Sequence, residues 1–144
     1  MAAQEKPQIP SDMNEFNRKL IAELRANGGE ITSGPMAGSK PMILTTKGRK
    51  SGRPQSVVIG WRPAGEAMVA IASNNGAQED PHWYRNLQKD PHATAEVGGK
   101  KVEVRARTAE GEEAQRMGAL IDYLERQQAL AKRRIPVVIL EPAK

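Results

Sequence analysis

Cysteine is absent from this chain of 144 residues, which removes thiolate nucleophiles, disulfide frameworks, iron–sulfur clusters and every cysteine-based zinc site. Histidine is nearly absent too. His82 and His92 stand ten apart with no H-E-x-x-H spacing, so no metal is predicted. Two Trp, two Tyr and one Phe are too few and too scattered to make a base-stacking platform. No apolar run approaches the roughly 18 residues that a membrane span needs, and the opening MAAQEKPQIPSDM lacks the apolar region of a secretory signal. These absences predict a cytosolic protein. There is no G-x-S-x-G elbow and no carboxylate pair apart from solvent-facing helix charge, so hydrolytic mechanisms lack a constellation.

Positive charge is what the chain has in excess. Lys and Arg number 22 against 17 Asp and Glu, a formal charge of +5. Such a balance favours an anionic partner: nucleic acid, an acidic lipid surface, or a small molecule with phosphate or carboxylate groups. The length suits one domain with an ordinary core, here read as residues 12–144 after a disordered segment at 1–11.

Asp12 with Glu15 three residues on predicts a helix start, and Asn27-Gly28-Gly29 its stop. Met13, Phe16, Leu20, Ile21 and Leu24 form one stripe at helical spacing, either packed on the core or, since Arg18, Lys19 and Arg25 flank it, touching an anionic membrane surface through residues 12–26. From residue 41 the period becomes that of strands: PMILTT, PQSVVIGW and AMVAIAS read as an antiparallel meander. A short helix follows, with Asp80 as N-cap and Pro81 at its first position. HATAEV and KVEVRAR flank Gly98-Gly99, a two-residue hairpin signal. A second long helix is predicted from about Ala109 to Lys132, bearing Ala114, Met117, Leu120, Ile121 and Leu124, before a final strand in PVVILEP. Six or so antiparallel strands with flanking helices, a mainly β (α+β) chain, suggest a sheet closing into a barrel.

Two stretches carry chemistry. KGRKSGRPQ gathers Lys47, Arg49, Lys50 and Arg53 around Gly48, Ser51 and Gly52 at a hairpin. There the glycines let backbone N–H groups approach an anion while the cations add charge-assisted bonds; the alternative is a solvated basic tip. Lys40, Lys100, Lys101 and Lys132-Arg133-Arg134 could gather beside it. In ASNNGAQEDPHWYRNL, residues 72–87, Ser73, Asn74 and Asn75 can meet the edge of a planar heterocycle, with Trp83 beside it. Alternatively, Trp83 and Leu87 are core anchors and Asn74-Asn75-Gly76 only a turn. GPMAGSK falls one residue short of a P-loop and places Ser before Lys. SGRP has the look of a minor-groove hook, but it lies between ordered strands, so no nucleic-acid partner is predicted.

LTTKGRKSG at 44–52, ASNNGAQEDPHWYRNL at 72–87, DPHATAEVGGKKVEVRAR at 90–107 and RRIPVVILEP at 133–142 together resemble the deazaflavin-dependent nitroreductase family, flavin/deazaflavin oxidoreductase class A. The resemblance implies a split β-barrel like that of the FMN-binding proteins. It also implies coenzyme F-420, an 8-hydroxy-5-deazaflavin with a flat tricycle, a phosphodiester and an acidic oligoglutamate tail; FMN is the alternative cofactor. By the same resemblance, Arg49, Lys50 and Ser51 hold the phosphate and tail. Gln55, Ser56, Val57 and Val58, on the strand running to Trp61, lie along the deazaflavin, Ile71, Ala72, Ser73 and Asn74 meet its ring, and His82, Trp83 and Asn86 complete the wall. Ser73 is the candidate donor near the reacting atoms. Family members often carry a basic residue where Gln55 stands. In nitro-reducing relatives several tyrosines line the acceptor pocket; here IDYLERQQALAKRR retains Tyr123 alone, with Ile121, Leu124 and Gln127 at neighbouring positions. The expected activity is hydride transfer from reduced F-420 to an electron-poor acceptor, an activated alkene or quinone in preference to a nitro compound, in an actinobacterial cytosol.

Overall fold

The computed structural model describes residues 9–32, 37–38, 40–74 and 77–143, with side chains in the first helix from Asn17 onward. The polar segment before Ile9, the side chains of Asp12, Met13, Glu15 and Phe16, and Asn75 and Gly76 lie outside the described residues.

Helix α1 (Ile9–Ala26) begins three residues before the expected start at Asp12. Pro10 is compatible with a first turn, where its missing N–H has no partner to lose. The stop falls where expected: Gly28 and Gly29 take φ of +68° and +91°, and the Gly29 N–H donates to the Leu24 carbonyl at 2.6 Å. Leu24 is fully buried with Ile31 and Ile43, and Leu20, Ile21 and Val58 pack on them. Arg25 donates through Nε and Nη2 to the two carboxylate oxygens of Glu96, at 3.0 and 2.5 Å. The face bearing Leu20, Ile21 and Leu24 therefore meets the sheet rather than a membrane, and Arg25 is committed to an internal pair.

That pair makes a pH prediction. The Arg25 hydrogen bond holds the Glu96 carboxyl below the usual range, against the opposing pull of burial. A depressed folded value means that this stabilisation is complete above the unfolded value, about 4.3, and is lost as pH falls through the folded one. We expect Glu96→Gln to lower Tm at neutral pH and the difference from wild type to shrink below about pH 4; melting curves that stay parallel throughout would exclude the linkage.

Seven strands form one antiparallel sheet: β1 (Met42–Lys47), β2 (Pro54–Ile59), β3 (Arg62–Ala64), β4 (Ala67–Ile71), β5 (His92–Val97), β6 (Lys100–Thr108) and β7 (Val137–Pro142), in the order β2-β1-β5-β6-β7-β4-β3. Strands β2 and β3 occupy opposite edges, yet only Gly60 and Trp61 separate them along the chain. A sheet under that constraint must curl until its edges approach, which is the split barrel predicted. Among the described residues there are seven strands rather than six because a short strand, β3, forms just after PQSVVIGW, and residues 41–73 are not a meander: β2 pairs with β1, and β3 with β4, at opposite ends of the order. The Gly98-Gly99 turn closes β5–β6 with φ of +60° and +82°, as a two-residue hairpin needs.

Period-2 alternation sorts the side chains. Ala70 of β4 and Val138 and Leu140 of β7 face inward with Met42 and Leu44 of β1. Val69 and Ile71 of β4, and Val137 and Ile139 of β7, face outward under a helical layer. Helix α2 (His82–Lys89) turns Trp83, Tyr84 and Leu87 into the inner core. Asp80 does not cap it. The N-cap is Pro81, without a side-chain bond, because the Asp80 carboxylate is taken by Arg133 at 2.6 Å.

The long helix expected over 109–132 is two helices, α3 (Gly111–Gly118) and α4 (Leu124–Ala131). Between them, N–H groups of Leu120, Ile121 and Leu124 bond three residues back, tightening the chain into turns. Gly118 permits this: a Cβ there would stand 2.9 Å from Leu124 Cδ2. The break drives Ile121 into the outer core, at 3% exposure.

Candidate functional site

The β1–β2 hairpin is built on Gly48, which is buried. Its N–H donates to the Arg53 carbonyl at 2.8 Å and its carbonyl accepts from the Gly52 N–H at 2.8 Å. A Cβ at Gly48 would stand 2.8 Å from Ser51 Oγ, 3.0 Å from Gln55 Nε2 and 3.1 Å from the Arg53 carbonyl, so any larger residue would have to push those groups aside. Ser51 Oγ in turn accepts from the Arg53 N–H.

Asn86 pins this hairpin to α2. At 1% exposure, its Oδ1 accepts from the Arg49 N–H at 3.1 Å and from Arg49 Nη1 at 2.9 Å. Its Nδ2 donates to Thr46 Oγ1 at 3.0 Å and Gln55 Oε1 at 2.9 Å. Arg49 Nη2 lies 3.2 Å from His82 Nδ1, which must accept because a guanidinium only donates. The second ring nitrogen of His82 is then left as the outward donor. Lys89 Nζ closes the set on the Arg49 carbonyl. Four residues selected from sequence, Arg49, Gln55, His82 and Asn86, thus form one network. Asn86 spends its amide inside it and positions the others, rather than forming part of an exposed wall. Lys50 and Arg53 are exposed, and among the described residues neither forms an ion pair.

Strand β2 sorts its four candidates onto two faces. Gln55 and Val57 stand opposite Thr46 and Leu44, on the barrel side; Ser56 and Val58 stand opposite Thr45 and Ile43, on the α1 side. Ser56 is further occupied by a 2.7 Å bond with Thr45 Oγ1. Side chains from both pairs cannot meet one face of a flat molecule. Being an edge strand, however, β2 leaves its outer backbone groups without a strand partner.

The loop after β4 carries the second set. Ile71 is buried under the helical layer and Ala72 in the inner core, so neither side chain reaches a ligand. Ser73 is half-buried, and its hydroxyl has no partner among the described residues. Asn74 takes φ of +51° and donates through Nδ2 to the Glu79 carbonyl. Trp83, at 6% exposure, is a core anchor and not an exposed wall, since its ring points into the barrel.

Of the acceptor-side candidates, Ile121 and Leu124 are packing residues of the outer core. Tyr123 is the one set at a boundary. Its hydroxyl stands 2.7 Å from where a Cβ at Gly60 would lie, at the junction of β2 and β3, with the Arg62 guanidinium 5.6 Å from its ring centre. Burial raises its pKa above the ordinary phenol value. Gln127, one helical turn on, has a buried Oε1 with no hydrogen-bond partner among the described residues.

Sequence reasoning missed one residue of this region. By its sequence Arg133 belongs to the cationic run 132–134 that could gather beside the hairpin, but it folds back onto the loop at 72–80, only 17% of its side chain exposed. A bundled charge run carries no signal of such a partner.

Comparison with known proteins agrees with this architecture. The family model described as F420H(2)-dependent quinone reductase matches residues 16–142. A Mycobacterium tuberculosis protein with the provisional name F420H(2)-dependent quinone reductase is 31% identical over 106 residues, 70% of this chain and 88% of the relative. The solved structure of an F420-H2 dependent reductase, FDR-A, superposes with a TM-score of 0.65 at 29% identity, covering 70% of this chain and 93% of that one. Another solved chain, described as a domain-swapped dimer, gives a TM-score of 0.66 at 28% identity over 92% of this chain and 99% of its own.

Proposed function

We propose, from the fact that the chain belongs to the F420H(2)-dependent quinone reductase family, that it is an oxidoreductase that uses reduced coenzyme F-420 to reduce a quinone. The observation that carries this reading is the cationic hairpin, locked by Asn86 beside the loop at 72–80. The donor chemistry fits the coenzyme. Lys50 and Arg53 are cations without a carboxylate partner among the described residues, suited to a phosphodiester and an oligoglutamate tail. The outer edge of β2, which spans about 17 Å, leads from that hairpin toward Tyr123 and offers backbone donors and acceptors to a planar ring.

When bound, the reduced deazaflavin supplies the hydride. The chain's own residues have three tasks. Arg49, held by Asn86 and His82, keeps the hairpin in one conformation, so that little ordering remains to be done on binding. Ser73 Oγ, unpartnered, is available to donate to charge developing beside it. Tyr123 offers a phenol to a quinone oxygen, and the partly buried Leu124, next to it in the chain, adds apolar surface that suits a quinone ring better than a nitro group. The neighbour that forms a domain-swapped dimer supports an oligomer for this chain as well.

The test is direct. The purified protein should quench F-420 fluorescence on binding and oxidise the reduced coenzyme with menadione, while FMN shows neither effect; tight FMN binding with no response to F-420 would defeat the reading. Replacing Lys50 and Arg53 together by Glu should raise the coenzyme Kd roughly tenfold at low salt and much less near 0.5 M salt, about where the screening length falls to a few ångströms. An unchanged Kd at both salts would remove these cations from the site.

A further inference from the structure

The Arg133 guanidinium makes five hydrogen bonds to one loop. Nε donates to the Ala77 carbonyl at 3.0 Å, Nη1 to Asp80 Oδ1 at 2.6 Å, and Nη2 to the carbonyls of Ala72, Ser73 and Glu79 at 3.1, 3.3 and 3.0 Å. Few other side chains could do this, since the planar fork of arginine offers several donors at fixed angles. The arginine is itself braced. Lys132 ends α4 in the left-handed region at φ +55°, turning the chain back, and the Gln128 side chain donates to the Arg133 carbonyl while accepting from the Ile135 N–H at 3.1 Å.

Planarity of the peptide group gives this clamp a chemical consequence. Among the described residues no peptide bond is cis. In a trans peptide the N–H points opposite to the C=O of the same plane. The carbonyls of Ala72 and Ser73 both point at Arg133, so the N–H groups of Ser73 and Asn74, which share those planes, both point away from it. Neither N–H has a backbone acceptor among the described residues. The preceding amide, of Ala72, is by contrast used up on the Pro136 carbonyl at 3.0 Å. Two successive unpaired donors on one side of a strand end form a small anion- or carbonyl-binding concavity. The cation behind them polarises both peptide units in the sense that strengthens those donors.

We infer that Arg133 is a positioning residue for the reaction: by gathering the carbonyls of the 72–80 loop, it aims the Ser73 and Asn74 amides at the carbonyl-bearing edge of the bound deazaflavin. The inference rests on the assignment of F-420 as coenzyme. Arg133 does not touch the ligand; it acts through the two amides.

The test uses the full chain labelled with nitrogen-15 and titrated with oxidised F-420. In the wild type the Ser73 and Asn74 amide resonances should shift on binding. In Arg133→Lys, which keeps the charge but loses the fork, those shifts should be lost and Kd should rise roughly tenfold or more, with the menadione KM unchanged. Wild-type amide shifts and Kd in R133K would overturn the inference while leaving the coenzyme assignment standing. Absence of F-420 binding by the wild type itself would overturn the assignment and the inference with it. Should R133K fail to fold, Asp80→Asn carries the same test, since without the carboxylate the guanidinium is no longer fixed against the carbonyls it gathers. A smaller but measurable loss of affinity, with shifts at the same two amides, is then expected, and wild-type behaviour in D80N overturns the inference.

Discussion

Replacing Asn86 by Ala is expected to cost about 3 kcal/mol of stability, roughly 10 °C in Tm for a chain of this length, and to weaken coenzyme binding at least about tenfold. The amide is almost wholly buried and satisfies four partners at once: the Arg49 N–H, the Arg49 guanidinium, Thr46 and Gln55. Alanine leaves the Thr46 hydroxyl, itself 2% exposed, and the Arg49 N–H without partners in a place that water reaches poorly. Orphaned groups of this kind cost more than the net worth of the bonds removed. Asn86→Asp should fall between the two proteins, because the carboxylate still accepts from both Arg49 donors and the Thr46 hydroxyl can turn to donate. Thermal melts and coenzyme titrations on the three proteins read both effects. An alanine variant with wild-type Tm and affinity would mean that the hairpin is held by its strand pairing alone.

Gly29→Ala should be nearly as damaging, about 3 kcal/mol or more, and for a reason far from the site. The position has φ of +91°, and its added Cβ would lie 2.8 Å from both Cα and N of Gly98 and 2.9 Å from N of Gly99. These are backbone atoms of the β5–β6 turn, which cannot swing aside as a side chain would. The end of α1 is therefore seated on that turn glycine against glycine, next to the Arg25–Glu96 pair. Gly28→Ala is the internal control: φ of +68° strains it, but nothing lies within 4 Å, so it should cost only about 1 kcal/mol. Equal Tm losses in the two variants would show that the strain matters and the contact does not.

Why these positions could not be picked out in advance is a matter of range. Asn86 and Arg49 are 37 residues apart, and Arg133 lies 53 to 61 residues from the groups it binds. Local spacing carries no trace of such partners, because the pairing exists only once the barrel has closed. The same holds for Trp83. Its position beside a polar, glycine-containing loop is equally compatible with lining a pocket and with anchoring the core, and the orientation of α2 against the strands decides for the core. The helical stripe through 109–132 was continuous in its apolar spacing, yet the chain breaks at Gly118 so that Ile121 can reach the space over β4 and β7. Asp80 had the right chemistry for a cap, but a guanidinium from another element is a stronger partner than its own helix.

What the amino-acid order determined by itself was whatever depends on neighbours: alternation that makes strands, glycine pairs that end α1 and turn β5 into β6, the cationic hairpin, and segments whose order and spacing resemble the deazaflavin-dependent reductases. Closure of the sheet decided the rest. It set which side chains of β2 share a face, buried Ile71, Ala72 and Ile121 beyond the reach of a ligand, and spent Arg25, Arg49 and Arg133 on particular partners within the fold. Burial and long-range pairing are properties of a closed three-dimensional packing, and no window of consecutive residues contains them.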